Sequence, residues 1–113
     1  MREVAVIARM WHGMTRRERA DAYSEFLRDR AIPDYQSVPG NLCVNILRRE
    51  DGERTHFITL TFWESMESIE KFAGVPVDRA KYYDEDKEFL LEFEPSVMHW
   101  EVVGKSEGPR SND

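Results

Sequence analysis

The segment from Thr55 to Trp63 constrains the fold most, because it has the pattern of a β-strand with large apolar side chains on both faces. Successive side chains of a strand point to opposite faces of its sheet. Two sets result: His56, Ile58, Leu60 and Phe62 on one face, and Phe57, Thr59, Thr61 and Trp63 on the other. A strand of this kind predicts a sheet that is covered on both faces.

Three further strands and a first helix are predicted around this segment. Val4–Trp11 is a strand that Gly13 ends, and the capping-box spacing of Thr15 and Glu18 predicts a helix from Arg16. Pro33 is expected to stop that helix. The other two strands are Leu42–Arg49, joined to Thr55–Trp63 by a hairpin at Asp51-Gly52, and Val97–Val103.

The second half of the chain is predicted to contain two helical segments. Ser65 is the expected N-cap of a short helix that Gly74 and Pro76 end. Val77–Phe93 is predicted to be mostly helical.

This order of elements predicts an α+β fold of the ferredoxin-like βαββαβ type, with an antiparallel four-stranded sheet. Two helices can cover only one face of such a sheet, so we expect a second copy of the chain on the other face, in a homodimer. The 113 residues fit one domain, predicted over residues 1–104. Residues 105–113 have no apolar side chains and are expected to form a flexible tail.

Composition excludes several classes of partner. The net charge of −6 argues against nucleic acid and against anionic membrane surfaces. No apolar run approaches the length of a membrane span, and the N-terminus lacks the pattern of a signal peptide. A single cysteine, Cys43, excludes an internal disulfide and a cysteine-based zinc site. We therefore expect a cytoplasmic protein, and the lack of nucleotide-binding motifs predicts that it uses no cofactor.

The run FWESMESI at residues 62–69 resembles the strand-to-helix junction of the antibiotic biosynthesis monooxygenase-like family. Residues 81–86 (KYYDED), Glu94-Pro95 and residues 99–102 (HWEV) are similar to a bacterial branch of that family. The likeness extends over about Val4 to Val103. It implies the dimeric α+β barrel fold, in which each subunit's pocket lies between its sheet and its helices.

The resemblance implies two kinds of activity. Characterised relatives include cofactor-independent oxygenases of phenols and quinols, which use an Asn where this chain has Thr59. Other relatives degrade haem with a helical Trp and a His ligand. This chain has Phe72 near that Trp position and no His between Phe57 and Met98, which argues against haem degradation by that mechanism.

Two histidines are the candidate catalytic residues. His99, mid-strand between Met98 and Trp100, is expected to be a neutral imidazole that can take a proton from a phenol. His12 follows the first strand and could also act as a base. Both could equally be structural. With His56 they lack the spacing of a metal motif, so no metal site is predicted.

The candidate substrate-binding residues are aromatic or polar, and each has a structural alternative. Trp63 could form a flat platform beside Thr59, or pack in the core. Arg9 could bind a substrate oxyanion, or pair with Glu101. The remaining candidates are three tyrosines on or beside helices: Tyr83, Tyr82 and Tyr35.

Two functional hypotheses follow. The first is a cofactor-independent monooxygenase-like oxidoreductase acting on a small planar aromatic molecule such as a phenol, a quinol or a polyketide-like compound. The second is a non-catalytic dimeric ligand-binding or accessory protein of the same fold. A cofactor-free isomerase or lyase would use the same acid–base groups.

Overall fold

The structure, a computed structural model, describes residues 6–106 and residue 108. Its four strands form one antiparallel sheet in the spatial order β2-β3-β1-β4. This order confirms the predicted α+β, ferredoxin-like βαββαβ fold. The strands are β1 (Ile7–Arg16), β2 (Asn41–Asp51), β3 (Arg54–Trp63) and β4 (Met98–Glu101).

The hairpin predicted between β2 and β3 is confirmed. Asp51 pairs with Arg54 at the end of the ladder. Gly52 in the turn has a φ of +64°, a left-handed conformation that glycine adopts without steric cost.

β1 continues past Gly13, so the predicted end of this strand is wrong. Gly13 pairs with Phe57 inside the β1–β3 ladder. A Cβ atom at Gly13 would lie 2.4 Å from the Trp11 indole, so glycine provides space for that ring instead of ending the strand. Val4 and Ala5, at the predicted start, lie outside the described residues.

The first helix begins later than the capping pattern at Thr15 predicts, and the expected start at Arg16 is wrong. Arg16 still pairs with Arg54, so the backbone remains extended there. A 3-10 turn (Arg17–Arg19) then leads into α1 (Ala20–Phe26).

Pro33 does not end the helical region, contrary to the prediction. A π-helical turn (Leu27–Ala31) follows α1 and leads into α2 (Ile32–Gln36). Pro33 lies at the start of α2, directly after the π-helical turn, in which the Ile32 N–H donates to the Leu27 carbonyl five residues earlier. Tyr35 therefore lies on a helix, and its side chain is buried.

The predicted N-cap of the next helix is confirmed. The Ser65 hydroxyl accepts a hydrogen bond of 3.2 Å from the Ser68 N–H. The helix, α3 (Met66–Ala73), ends at Gly74 with a φ of +81°.

The prediction that Val77–Phe93 is mostly helical is wrong. Apart from a 3-10 helix (Asp84–Glu88), this segment is irregular. Its backbone bonds to the extended part of β1, where the Leu91 N–H donates to the Met14 carbonyl at 2.9 Å. Because β1 runs further than predicted, it supplies partners that compete with helix formation.

The helices cover one face of the sheet, which we call the inner face. Its side chains are buried: Arg9, Trp11, Thr59, Thr61 and Trp63. They pack against aromatic and aliphatic residues of the helices, and this layer is the core: Ala20, Tyr23, Leu27, Ala31, Tyr35, Ile69 and Phe72.

The opposite face, which we call the outer face, is uncovered in the single chain and is apolar, as the pattern of β3 predicts. Leu47, Met98 and Trp100 are 45%, 58% and 53% exposed on it. The half-buried side chains around them are Met10, Ile58, Leu60 and Phe62. Within the described residues, no helix is long and apolar enough to cross a membrane.

β4 is shorter than the predicted strand Val97–Val103. Among the described residues it pairs with β1 alone, from Met98 to Glu101. The predicted tail falls partly outside the described residues, and its described part, residues 105–106 and 108, has no regular secondary structure.

Candidate functional site

A narrow cleft lies between the inner face and the helices, and we call it the inner cleft. Its water-accessible volume is about 10 Å³, which is about the space of one water molecule. Side chains therefore nearly fill it. Its lining is unusually polar for a core: Trp11, Tyr23, Leu27, Ala31, Tyr35, Thr59, Lys81, Tyr83 and Asp86.

Asp34 ties the irregular segment to α2 at the mouth of this cleft. It accepts a hydrogen bond of 2.5 Å from the Tyr83 hydroxyl and one of 3.2 Å from Lys81 Nζ. Burial acts to raise the pKa of Asp34, but the hydrogen bonds from Tyr83 and Lys81 outweigh it and hold that pKa below its usual value. Burial and the Asp34 carboxylate raise the pKa of Tyr83, so this phenol stays protonated.

A second carboxylate, Asp86, lies deeper beneath α1 and is 2% exposed. It accepts hydrogen bonds from the Tyr23 hydroxyl at 2.9 Å and from the Tyr83 N–H at 2.7 Å. Burial raises the pKa of Asp86, although both hydrogen bonds favour its ionised form. This side chain therefore holds the 3-10 helix against the core.

Arg9 is a buried cation that has no carboxylate partner in the described part of the chain. Its side chain is 1% exposed, and Nη2 donates to the Arg79 carbonyl at 3.2 Å. Nε has no hydrogen-bond partner, and no ion pair reaches Arg9 among the described residues, so the alternative pairing with Glu101 is absent there. Burial lowers the pKa of this guanidinium, which nonetheless remains a cation.

Two aromatic residues border Arg9. The guanidinium lies 5.6 Å from the centre of the Phe72 ring, and Tyr35 stacks on Phe72 at 4.2 Å. Burial raises the pKa of Tyr35 to about 12, and the charge of Arg9 opposes this rise. Tyr35 therefore links Arg9 to the inner cleft, which it also lines.

His99 lies directly opposite Arg9 across the β1–β4 ladder. Its Nε2 atom is buried and has no hydrogen-bond partner. Burial lowers the pKa of His99, and the charge of Arg9 lowers it further, so the imidazole is neutral at pH 7. A neutral imidazole and a guanidinium thus lie side by side, each with an unpaired buried nitrogen.

Trp63 and Tyr82 are engaged elsewhere. The Trp63 indole is fully buried, donates to Thr61 Oγ1 at 2.8 Å and packs against Phe72. The Tyr82 hydroxyl donates to the Glu94 carbonyl at 2.5 Å, and its ring meets Trp11 edge-on. Both residues support the walls of the site, and neither presents a free polar group to the cleft.

His12 lies on the outer face, and the sheet separates it from Arg9, Thr59 and Tyr83. It forms a cluster with His56 and two carboxylates. The described residues contain no group of three or more side chains arranged to hold a metal ion.

The fold therefore brings Arg9, Tyr35 and His99 to one end of the inner face and Thr59 and Tyr83 to the adjoining cleft. Sequence reasoning missed three polar residues of this region: Asp34, Lys81 and Asp86. Asp34 follows a proline and resembles a loop residue, and Asp86 lies in an acidic run that resembles a solvated turn. The available signal was an acid three residues after Tyr83, since the Asp86 carboxylate accepts from the Tyr83 N–H at the start of the 3-10 helix.

The comparisons with known proteins agree with this architecture. A family model described as antibiotic biosynthesis monooxygenase matches residues 4–77. The chain therefore belongs to the antibiotic biosynthesis monooxygenase family. Among curated proteins, none matches this chain.

Several solved structures have the same fold. A Nitrosomonas europaea protein of unknown function is 12% identical, with a TM-score of 0.69 over 96% of this chain and 100% of that one. A heme-degrading protein from Mycobacterium tuberculosis is 20% identical, with a TM-score of 0.61 over 94% of this chain and 100% of that one. A second Nitrosomonas europaea protein, provisionally named an antibiotic biosynthesis monooxygenase, is 13% identical, with a TM-score of 0.63 over 91% of this chain and 94% of that one. At these identities the likeness establishes the fold alone.

Proposed function

We propose that this chain is a cofactor-independent monooxygenase-like protein that binds a small planar aromatic molecule at the inner face. The observation that carries the proposal is Arg9, a buried guanidinium with an unpaired Nε and no carboxylate partner among the described residues. An uncompensated buried charge is costly, and an anionic ligand would offset that cost. The oxyanion of a phenol, a quinol or an enol fits, because the walls around Arg9 are aromatic.

His99 supplies the base in this proposal. Its neutral imidazole would take a proton from the substrate hydroxyl or acidic C–H at Nε2, and Arg9 would stabilise the resulting anion. An electron-rich anion can transfer electrons to dioxygen directly. For a CH₂ group that becomes a carbonyl, one oxygen atom enters the product, and the other leaves as water with the two substrate hydrogens. Thr59 and Tyr83 would position the ring.

The inner cleft has to widen before such a ligand can enter, because about 10 Å³ holds no aromatic ring. We propose that the segment around Lys81 and Tyr83 moves outward to admit the ligand. It is irregular, and Asp34 holds it through two side-chain hydrogen bonds at the mouth. Moving it outward exposes Thr59 without disrupting the sheet.

We also propose that the outer face packs against a second copy of the chain. Its apolar side chains come from all four strands and include Leu47, Met98 and Trp100, each close to half exposed in the single chain. An apolar surface of this extent on a small chain marks an interface. A second copy of the same sheet is self-complementary through a two-fold axis.

The activity is tested by measuring oxygen uptake with quinols and anthrone-like compounds, using protein stripped of metals. We expect one dioxygen consumed per substrate molecule. His99→Gln should lower the rate by about 10²-fold or more, as expected for loss of a general base. His56→Gln, a histidine replacement on the outer face, is the matched control and should retain the rate. Loss of activity in His12→Gln but not in His99→Gln would reassign the base to the other face.

The alternative is a non-catalytic ligand-binding or accessory protein, and the nearly filled cleft favours it. This alternative predicts thermal stabilisation by an aromatic acid without oxygen uptake. Product formation without oxygen uptake would instead identify an isomerase or lyase that uses His99. If no compound stabilised the protein and none caused oxygen uptake, the proposed site would be contradicted.

A further inference from the structure

Four titratable side chains form one hydrogen-bonded line on the outer face. Glu94 Oε2 contacts His12 Nδ1, and His12 Nε2 lies 2.9 Å from His56 Nδ1. His56 Nε2 then lies 3.1 Å from Asp51 Oδ2. Glu94 belongs to the stretch between the 3-10 helix and β4, residues 89–97, which we call the C-terminal segment. The line joins this segment to β1, β3 and the β2–β3 hairpin, and the proposed reaction uses none of it.

The line requires one proton more than two neutral histidines carry. Each of its three contacts needs one hydrogen between its two heavy atoms. Ionised Glu94 and Asp51 supply none, because a carboxylate only accepts. The two imidazoles must therefore supply three hydrogens, whereas two neutral imidazoles have two.

The geometry between the two rings fits a proton and not a metal ion. The ring centres are 5.2 Å apart and the planes differ by 26°. The separation of the centres exceeds the 2.9 Å between the nitrogens by about two ring radii, so the nitrogens face each other head-on. A metal ion in line between them, with two bonds of about 2.0–2.1 Å, would hold the nitrogens about 4 Å apart.

The charges around the pair favour the extra proton. Glu94 and Asp51 contribute two negative charges at the ends of the line. Arg48 and Arg49 of β2 line the adjacent cleft. Arg48 is already paired with Asp21 and Glu50. Arg49 lies opposite His56 in the β2–β3 ladder, so its single positive charge acts against the extra proton, whereas the two carboxylates act for it. The other neighbours in this cleft are apolar: Leu47 and Ile58.

We propose that His12 and His56 bind one shared proton at neutral pH, and that this proton fastens the C-terminal segment to the β2–β3 hairpin across the outer face. The pair has a conformational role, because all four ring nitrogens are engaged within the line. Loss of the shared proton makes two acceptors face each other in one contact. A fourth proton makes two N–H groups face each other between the rings. The fastening therefore weakens on both sides of an intermediate pH.

The wild-type protein gives the direct test. Long-range ¹H–¹⁵N spectra of the imidazoles at pH 7, recorded with a chelator present, should show three hydrogens on the four nitrogens of His12 and His56. Two hydrogens at pH 7 would overturn the proposal. So would a spectrum that the chelator alters, since a bound metal ion would then be holding the pair.

The fastening is tested with His12→Gln, His56→Gln and the double variant, because glutamine cannot take the third proton. At pH 7 the two replacements should be coupled by a factor of about three or more in the unfolding equilibrium constant. This factor should approach one toward acid and toward alkaline pH. The Leu91 amide, bonded to Met14, should exchange its hydrogen faster in each single variant. His99→Gln is the control and should leave that exchange rate unchanged. A coupling that is absent or independent of pH would contradict the proposal.

Discussion

At the scale of single residues, the proposed function depends on Arg9. A guanidinium that is 1% exposed loses its hydration. Within the described residues it recovers a hydrogen bond to a carbonyl, an interaction with the Tyr35 hydroxyl and a contact with an aromatic ring, but no carboxylate. An inert core would be more stable with an apolar side chain of similar volume. Retaining a charge at such a position is consistent with a ligand that uses it.

Arg9→Met should therefore separate stability from binding. We expect the free energy of unfolding to rise by about 1–2 kcal/mol, because the substitution removes an unpaired buried charge and keeps the volume. Binding of an aromatic acid, followed by calorimetry, should be lost. Arg9→Lys is the control for charge alone and should retain weak binding. A destabilised Arg9→Met variant that still binds would show that the charge serves the fold.

Asp34, at the mouth of the cleft, makes a pH-dependent contribution to the free energy of unfolding. The pKa of Asp34 is lower in the folded protein than in the unfolded chain. Asp34 therefore stabilises the fold fully when the pH is above its unfolded pKa, and this stabilisation disappears as the pH falls through the folded pKa. Asp34→Asn should lower the free energy of unfolding by about 1 kcal/mol at pH 7 and leave it almost unchanged in strong acid, as measured by urea unfolding. Asp29→Asn, an exposed carboxylate on the π-helical turn, is the matched control. Equal losses at both pH values would contradict this role.

At the scale of the elements, local signals succeeded where they were self-contained. The Asp51-Gly52 turn and the Ser65 cap depend on neighbouring residues, and the structure has both. Predictions failed where a distant partner determined the backbone. Gly13 looks like a strand end until the Trp11 indole is placed over it, and residues 77–93 look helical until β1 offers them hydrogen bonds.

Gly13→Ala tests why β1 continues through a glycine. The added methyl would lie 2.4 Å from Trp11 and 3.0 Å from Leu90, so we expect a loss of about 1–3 kcal/mol in chemical unfolding. Gly104→Ala is the control, because nothing lies within 4 Å of its Cβ position. A Gly13→Ala variant as stable as the control would show that the indole does not need that space.

At the scale of the whole molecule, the sequence predicted the sheet and its two apolar faces but not the state of the inner cleft. Side chains alternate in direction along β3, and this alone assigns Thr59 and Trp63 to one face of the sheet and Ile58 and Leu60 to the other. The cleft depends on Tyr83 and Asp34, which lie 49 residues apart in the chain and meet only in the fold. No local pattern encodes such a meeting.

Trp100→Glu tests the proposed use of the outer face. Trp100 is 53% exposed, so the substitution leaves the folded chain intact but places a charge in the interface. Light scattering should give twice 13.3 kDa for the wild type and 13.3 kDa for the variant. Val103→Glu, at a position that is 91% exposed, should behave as the wild type. A wild-type chain that is monomeric at micromolar concentration would contradict the interface.

The three tryptophans allow the proposed binding site to be tested in one titration, because Trp11 and Trp63 lie on the inner face and Trp100 lies on the outer face. The measurement is the set of indole ¹H–¹⁵N signals as an anthrone-like or quinol compound is added to the metal-free protein. A ligand beside Arg9 and Thr59 should shift the signals of Trp11 and Trp63 and leave that of Trp100 in place. A shift confined to Trp100, or no shift at saturating compound, would contradict a binding site on the inner face.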